Sequence, residues 1–184
     1  MTDLPLPPLD PDDWPGEIAD LAAGFAGALN VYRTMAHHPA LLRAWGALRA
    51  HVVRDSALSP RQREAVTLRA AHRLAASYEW DHHVSRGRAA GMADRDIAAL
   101  AGPVEAVAEQ DRPFARAVDE LAAGARLRPA TAADLAARVG KKGMLDVMAT
   151  VGFYTTLAYV VNSCDTPLDP AIAAELADRP LGAG

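Results

Sequence analysis

Apolar residues at helical spacing run through most of the chain, and they predict an all-α protein. Ile18, Leu21, Ala22, Phe25, Leu29 and Tyr32 share a face and predict a helix over 17 to about 35. Leu41, Leu42, Trp45, Leu48 and Val52 do the same from Pro39 to about residue 53. Ser59 is a good N-cap, Pro60 suits the first helical position and Gln62 completes a capping box, so a third helix starts at 60 and runs to about 76. A fourth starts near Ser77 or Tyr78 and stops at Gly91, a natural residue for the left-handed turn after a helix.

Beyond it, Asp94 caps a short helix through Leu100, and the pair Gly102–Pro103 breaks the chain. Pro113 opens a helix to about 123, and Thr131 caps another to about 139. Residues 140–143 read as a turn. The stretch 144–162 is the most apolar segment and approaches membrane-span length, but Asp146, Gly152 and the pair Thr155–Thr156 mark it as a buried helix. Asp169 and Pro170 open a last helix to about 177. Five prolines within residues 1–16 predict an extended arm ahead of a single helical domain over 17–180.

Composition narrows the picture. Hydrophobic residues make up 51% of the 184 but aromatics only 5%, so the core is built from Ala, Leu and Val, which suits closely packed helices. A net charge of −4 argues against nucleic acid as a partner. One cysteine excludes an internal disulfide and a cysteine-based zinc site. The N-terminus lacks the basic and apolar regions of a signal peptide, which makes the cytoplasm the expected compartment.

The candidate chemistry gathers in residues 59–91. Glu64 is the only charge in a stripe of small residues, and a lone carboxylate on a packing face is costly unless paired or used. Glu79 and His83 stand one turn apart on the next helix, so the carboxylate can orient the imidazole and favour its charged form, leaving it ready to exchange a proton near neutral pH. A solvated surface pair is the competing reading of the same spacing. Tyr78, His82 and Trp80 flank the pair, and Tyr154 is a polar point in the apolar helix that can line a site. Arg69, Arg73 and Arg86 are candidates to hold a substrate carboxylate. The adjacent rings of His82 and His83 point about 100° apart on a helix, which disfavours a shared metal ion. His37 and His38 have no partner at ligand spacing. No metal and no cofactor is expected.

The run REAVTLRAAHRLAASYEWDHHVSRGRAAGMADRDIAAL resembles the carboxymuconolactone decarboxylase-like family, which also contains the alkylhydroperoxidase D proteins. It is most similar to the branch marked by Tyr-Glu-Trp-x-x-His, here Tyr78, Glu79, Trp80 and His83. The resemblance implies an alkylhydroperoxidase D-like helical fold with two related repeats, an active one over about 37–100 and a degenerate one over about 111–165. It also implies a homo-oligomer, a trimer or hexamer. The peroxidase branch carries a glutamate, a Cys-x-x-Cys and a histidine, which fall here on Glu64, on Ala76 and Glu79, and on His83. Both redox cysteines are replaced, while the proton-relay positions remain.

The expectation is therefore an enzyme of the decarboxylase, lyase or isomerase kind acting on a small organic acid or lactone. Glu64, Glu79, His83 and Tyr78 are its catalytic candidates, and His82, Trp80, Arg86 and Tyr154 contact the substrate. Alternatives are a peroxidase relative, a metal binder using Glu64, Glu79, His82 and His83, of which Glu79 and His83 have ligand spacing, and a non-catalytic helical oligomer. Neither a nucleic acid nor a membrane is an expected partner.

Overall fold

Local chemistry fixes most helix ends, and tertiary contacts fix the rest. A computed structural model describes residues 6–181 and is helical over them, with no strand among the described residues. The helices are α1 (Ala19–Ala22), α2 (Phe25–Ala28), α3 (Asn30–Met35), α4 (Pro39–Ala50), α5 (Pro60–Arg73), α6 (Ser77–Ala89), α7 (Asp94–Ala99), α8 (Arg112–Gly124), α9 (Pro129–Ser163) and α10 (Pro170–Asp178).

α5 is the central helix. It packs against α6, α8 and α9, and Ala65 through Ala71 are all buried. Five of those seven are Ala, Val or Leu, and the small ones let neighbouring axes approach closely. The predicted capping box is present: Gln62 N–H donates to Ser59 Oγ at 3.3 Å and Ser59 N–H to Gln62 Oε1 at 2.8 Å. The helix stops at Arg73, three residues short of the expected end, because Ala75 takes the left-handed conformation at φ 50°. That turn reverses the chain into α6 and lays α6 back against α5. α6 closes as predicted, with Gly91 at φ 81°.

The single helix expected over 17–35 is instead three short pieces. The chain leaves helical geometry at Gly24 and again at Leu29 (φ −128°, ψ 131°). Glycines lower the local preference for helix. Partners distant in sequence then take the amide groups that a longer helix would have satisfied. Asn30 N–H donates to Asp169 Oδ1 at 3.0 Å and Val31 N–H to the Tyr78 hydroxyl at 3.2 Å.

Of the proline-rich arm, residues 1–5 lie outside the described residues. The remainder makes a 3-10 turn at Pro11–Asp13 and packs on its own chain. Arg33 Nε donates to the Leu9 carbonyl at 2.8 Å, and Trp14 is buried. α4 ends in a π-helical turn, His51–Asp55, where the sequence predicts plain helix to 53. His51 Nε2 meets Asp146 Oδ1 at 2.7 Å, and Asp146 Oδ2 accepts from Ala57 N–H at 2.7 Å. This contact ties the π-helical turn to α9. The expected turn over 140–143 contracts to one residue, Gly140 (φ 68°), and helix resumes at Lys141.

Candidate functional site

α5 and α6 bring Glu64 and His83 together in the interior. His83 Nδ1 and Glu64 Oε2 are 2.5 Å apart, and the imidazole is 1% exposed. Arg86, one turn further along α6, donates from Nη1 to His83 Nε2 at 3.1 Å. These two bonds select a neutral ring with its proton on Nδ1, because Nε2 must accept and the carboxylate can only accept. Electrostatics agree: burial lowers the basicity of His83, Glu64 opposes that, and Arg86 adds to it, with a net shift downward. The Tyr154 ring stands edge-on to His83 at 4.9 Å and fixes its plane.

Glu79, the partner suggested by spacing, sits differently. Its Oε2 is 3.7 Å from His83 Nε2, beyond hydrogen-bond reach, and its Oε1 is buried with no partner in the protein. Burial pushes the Glu79 carboxyl up to about 7, against the pull of Arg86 and His82. The i,i+4 carboxyl is therefore a buried acid that is only about half-ionised at neutral pH, and Glu64 holds the imidazole. Burial also pushes Tyr32, next to Arg49 and Glu79, up to about 12.

A small, partly open cavity of about 30 Å³ adjoins the Glu64–His83 pair. Arg63, Thr67, Arg86, Thr150 and Tyr154 line it with the pair, and Val52 and Val53 of the π-helical turn form an apolar wall. Thr150 Oγ1 is buried without a protein partner. This volume holds about one water molecule.

The structure separates the other sequence candidates from this cavity. Tyr78 donates to Asp169 Oδ2 at 2.5 Å, and His82 Nε2 meets the same oxygen at 2.8 Å while its Nδ1 faces the Tyr78 carbonyl at 2.8 Å. Burial alone would raise the Asp169 carboxyl, but His82, Tyr78 and Asn30 N–H outweigh it and hold the group below its ordinary range. Tyr78 and His82 thus clamp the starts of α3 and α10 onto α6 and do not reach Glu64. Trp80 packs near His72, with ring centres 6.3 Å apart. Arg69 is committed to Asp119 at 2.7 Å and to the carbonyls of Leu100 and Gly102, and Arg73 faces Asp119 at 3.6 Å. Of the three arginines, Arg86 alone lines the cavity.

Thr67, Thr150, Arg63 and the two valines carry no signal in the sequence. They are ordinary helix residues, and only packing turns them toward one point. His38 Nδ1 accepts from Leu41 N–H at 3.4 Å at the start of α4, and His37 Nε2 meets the Pro7 carbonyl at 2.8 Å. Among the described residues, no cluster of three or more His, Cys, Asp and Glu side chains has metal-binding geometry.

The family model described as "Carboxymuconolactone decarboxylase family" matches residues 39–123. Over that stretch the chain is similar to the carboxymuconolactone decarboxylase family. The matched region spans α4 to α8 and holds Glu64, Glu79, His83 and Arg86. Tyr154 and Thr150 lie outside it, on α9. No curated protein matches the chain.

Proposed function

We propose that this chain belongs to the carboxymuconolactone decarboxylase family and is an enzyme that moves a proton to or from carbon in a small organic acid or lactone. The observation that carries the reading is the buried Glu64–His83 pair with Glu79, its carboxyl pushed up to about 7, behind it. A neutral imidazole and a carboxyl still partly un-ionised near neutral pH are a base and an acid 3.7 Å apart. Arg86 is the one guanidinium that touches both the imidazole and the cavity, so it is the group that turns from His83 to a substrate carboxylate or enolate oxygen.

In a decarboxylation, the carbon–carboxylate bond breaks and carbon dioxide leaves. The electron pair passes into the conjugated carbonyl as an enolate, beside Arg86. Arg86 turns from His83 Nε2 to the substrate, and Glu79 closes from 3.7 Å to hydrogen-bond reach of that nitrogen. Glu79 then gives its proton to Nε2, Glu64 stabilises the imidazolium, and the imidazolium protonates the carbon. Solvent then reprotonates Glu79. One proton is consumed per carbon dioxide released, and no redox partner enters. Isomerisation uses the same groups, with His83 Nε2 taking the proton first.

A thiol peroxidase is disfavoured on physical grounds. Cys164 follows the end of α9, and burial, then Asp165, push its thiol up. Neither Ala76 nor Glu79 can supply sulfur to the pocket.

The test is a panel of small unsaturated lactones and keto acids, carboxymuconolactone among them. Carbon dioxide release and deuterium uptake from solvent are followed. His83→Ala and Glu64→Gln are expected to lower turnover at least about a hundredfold, the usual loss on removing a general acid or base. Cys164→Ser is expected to leave turnover unchanged, with no peroxide consumption by the wild type. Full activity in His83→Ala, or peroxide turnover lost in Cys164→Ser, overturns the reading.

A further inference from the structure

The inner face of α9 lines the pocket, and its outer face is apolar and uncovered. Between Gly143 and Cys164 the only charged residue is Asp146, which is buried against His51 and Ala57. The helix has a mean hydropathy of 1.4 over its most apolar window, yet only 50% of that window is buried. Leu145 and Tyr159 are 61% and 63% exposed, the most exposed large apolar residues among those described. An apolar helix with one bare face is unfavourable in water unless something covers that face.

The order of residues along the face says what the cover is. Leu145 lies seven residues before Gly152 and Tyr159 seven after, so all three lie on one stripe. Gly152 is exposed, and a side chain there would meet nothing, so another helix can approach closely at that point. Beside Tyr159 lies a groove of about 160 Å³ lined mostly by apolar residues, Leu74, Val118, Leu121 and Val151 among them, together with Thr155 and Arg73. At one end of the stripe Lys141 and Lys142 are exposed, and at the other Asp165 is exposed. A second α9 running antiparallel and crossing at Gly152 sets Leu145 of one copy against Tyr159 and its groove on the other, and the same contact repeats by symmetry. The lysine end then meets the aspartate end. A parallel partner would place lysines against lysines and lose both matches.

We propose that this face of α9 is a twofold, antiparallel interface with a second copy of the chain, centred on Gly152. Assemblies built on it have an even number of chains.

Light scattering at micromolar concentration is expected to give an even multiple of 19.4 kDa for the full chain. Mild oxidation of Gly152→Cys is expected to join two chains. Leu145→Cys combined with Tyr159→Cys is expected to do the same, while neither of those two alone does. The wild type is the control, because Cys164 is buried. Lys141→Asp with Lys142→Asp is expected to weaken association at least about tenfold, and adding Asp165→Lys to restore part of it. Since the charged ends lie outside the core, these variants fold, which circular dichroism checks. A monomer, an odd-numbered assembly, crosslinking by Leu145→Cys alone, or binding to lipid vesicles that protects Tyr159 from quenching each overturns the proposal.

Discussion

Glu79 offers the sharpest test of the pocket's electrostatics. In the unfolded chain its carboxyl has the ordinary value of 4.5; in the fold it is pushed up to about 7 by burial. The folded state therefore binds the extra proton between these two values, and stability falls as pH rises through that window. Above about 7 the full cost is present, because the folded protein must ionise a buried group or hold its proton against solvent. At about 1.36 kcal/mol per tenfold change in proton affinity, the penalty is about 3 kcal/mol. Glu79→Gln carries no ionisable proton and escapes it. The variant is therefore expected to gain about 2.5 kcal/mol relative to wild type between about pH 5 and about pH 8. Comparing the two pH values cancels any constant packing effect of the amide. Urea denaturation at fixed protein concentration measures it, since association shifts apparent stability. A difference that stays flat with pH would refute the reasoning and show that Arg86 keeps Glu79 ionised. Activity should follow the same titration, with turnover falling above about pH 7 as the internal acid is lost.

Two further outcomes are expected from the fold. Ala75→Gly relieves a left-handed alanine at φ 50° and is expected to stabilise the protein by about 1 kcal/mol, read as a shift in the urea midpoint. Asp169→Asn leaves the His82 ring without its charged partner and is expected to destabilise the protein by about 3 kcal/mol near neutral pH. The Asp169 carboxyl is held below its ordinary 3.8, so its contribution is present above that value and lost as pH falls through its lower folded value. The variant should accordingly show a shallower loss of stability on acidification than the wild type, and an equal slope in the two proteins would sink the assignment.

The all-helical architecture was legible because it rests on local chemistry. The capping box at Ser59, the Pro60 and Pro170 starts and the Gly91 stop are short-range rules, and the chain obeys each. The helix expected to be capped by Thr131, by contrast, starts earlier, at Pro129, and the Thr131 hydroxyl donates to Glu120 on α8 instead. Glu64 and His83 were legible as a pair through a family resemblance, and their phases on adjoining helices allowed them to face each other. Other features depended on contacts distant in sequence. The break-up of residues 17–35 follows from Asp169 and Tyr78 capturing the amides of Asn30 and Val31. Spacing along α6 made Glu79 the natural partner of His83 and grouped Tyr78 and His82 with it. Spacing says which residues share a helix, not which neighbour covers them. Burial at the α5–α6 contact gave the imidazole to Glu64 and left Glu79 a proton, while Asp169 drew Tyr78 and His82 to the other side of the helix. Sequence by itself determined where helices begin and which groups can titrate. Only the tertiary structure decided which groups share a low-dielectric pocket, because desolvation depends on everything packed around a side chain.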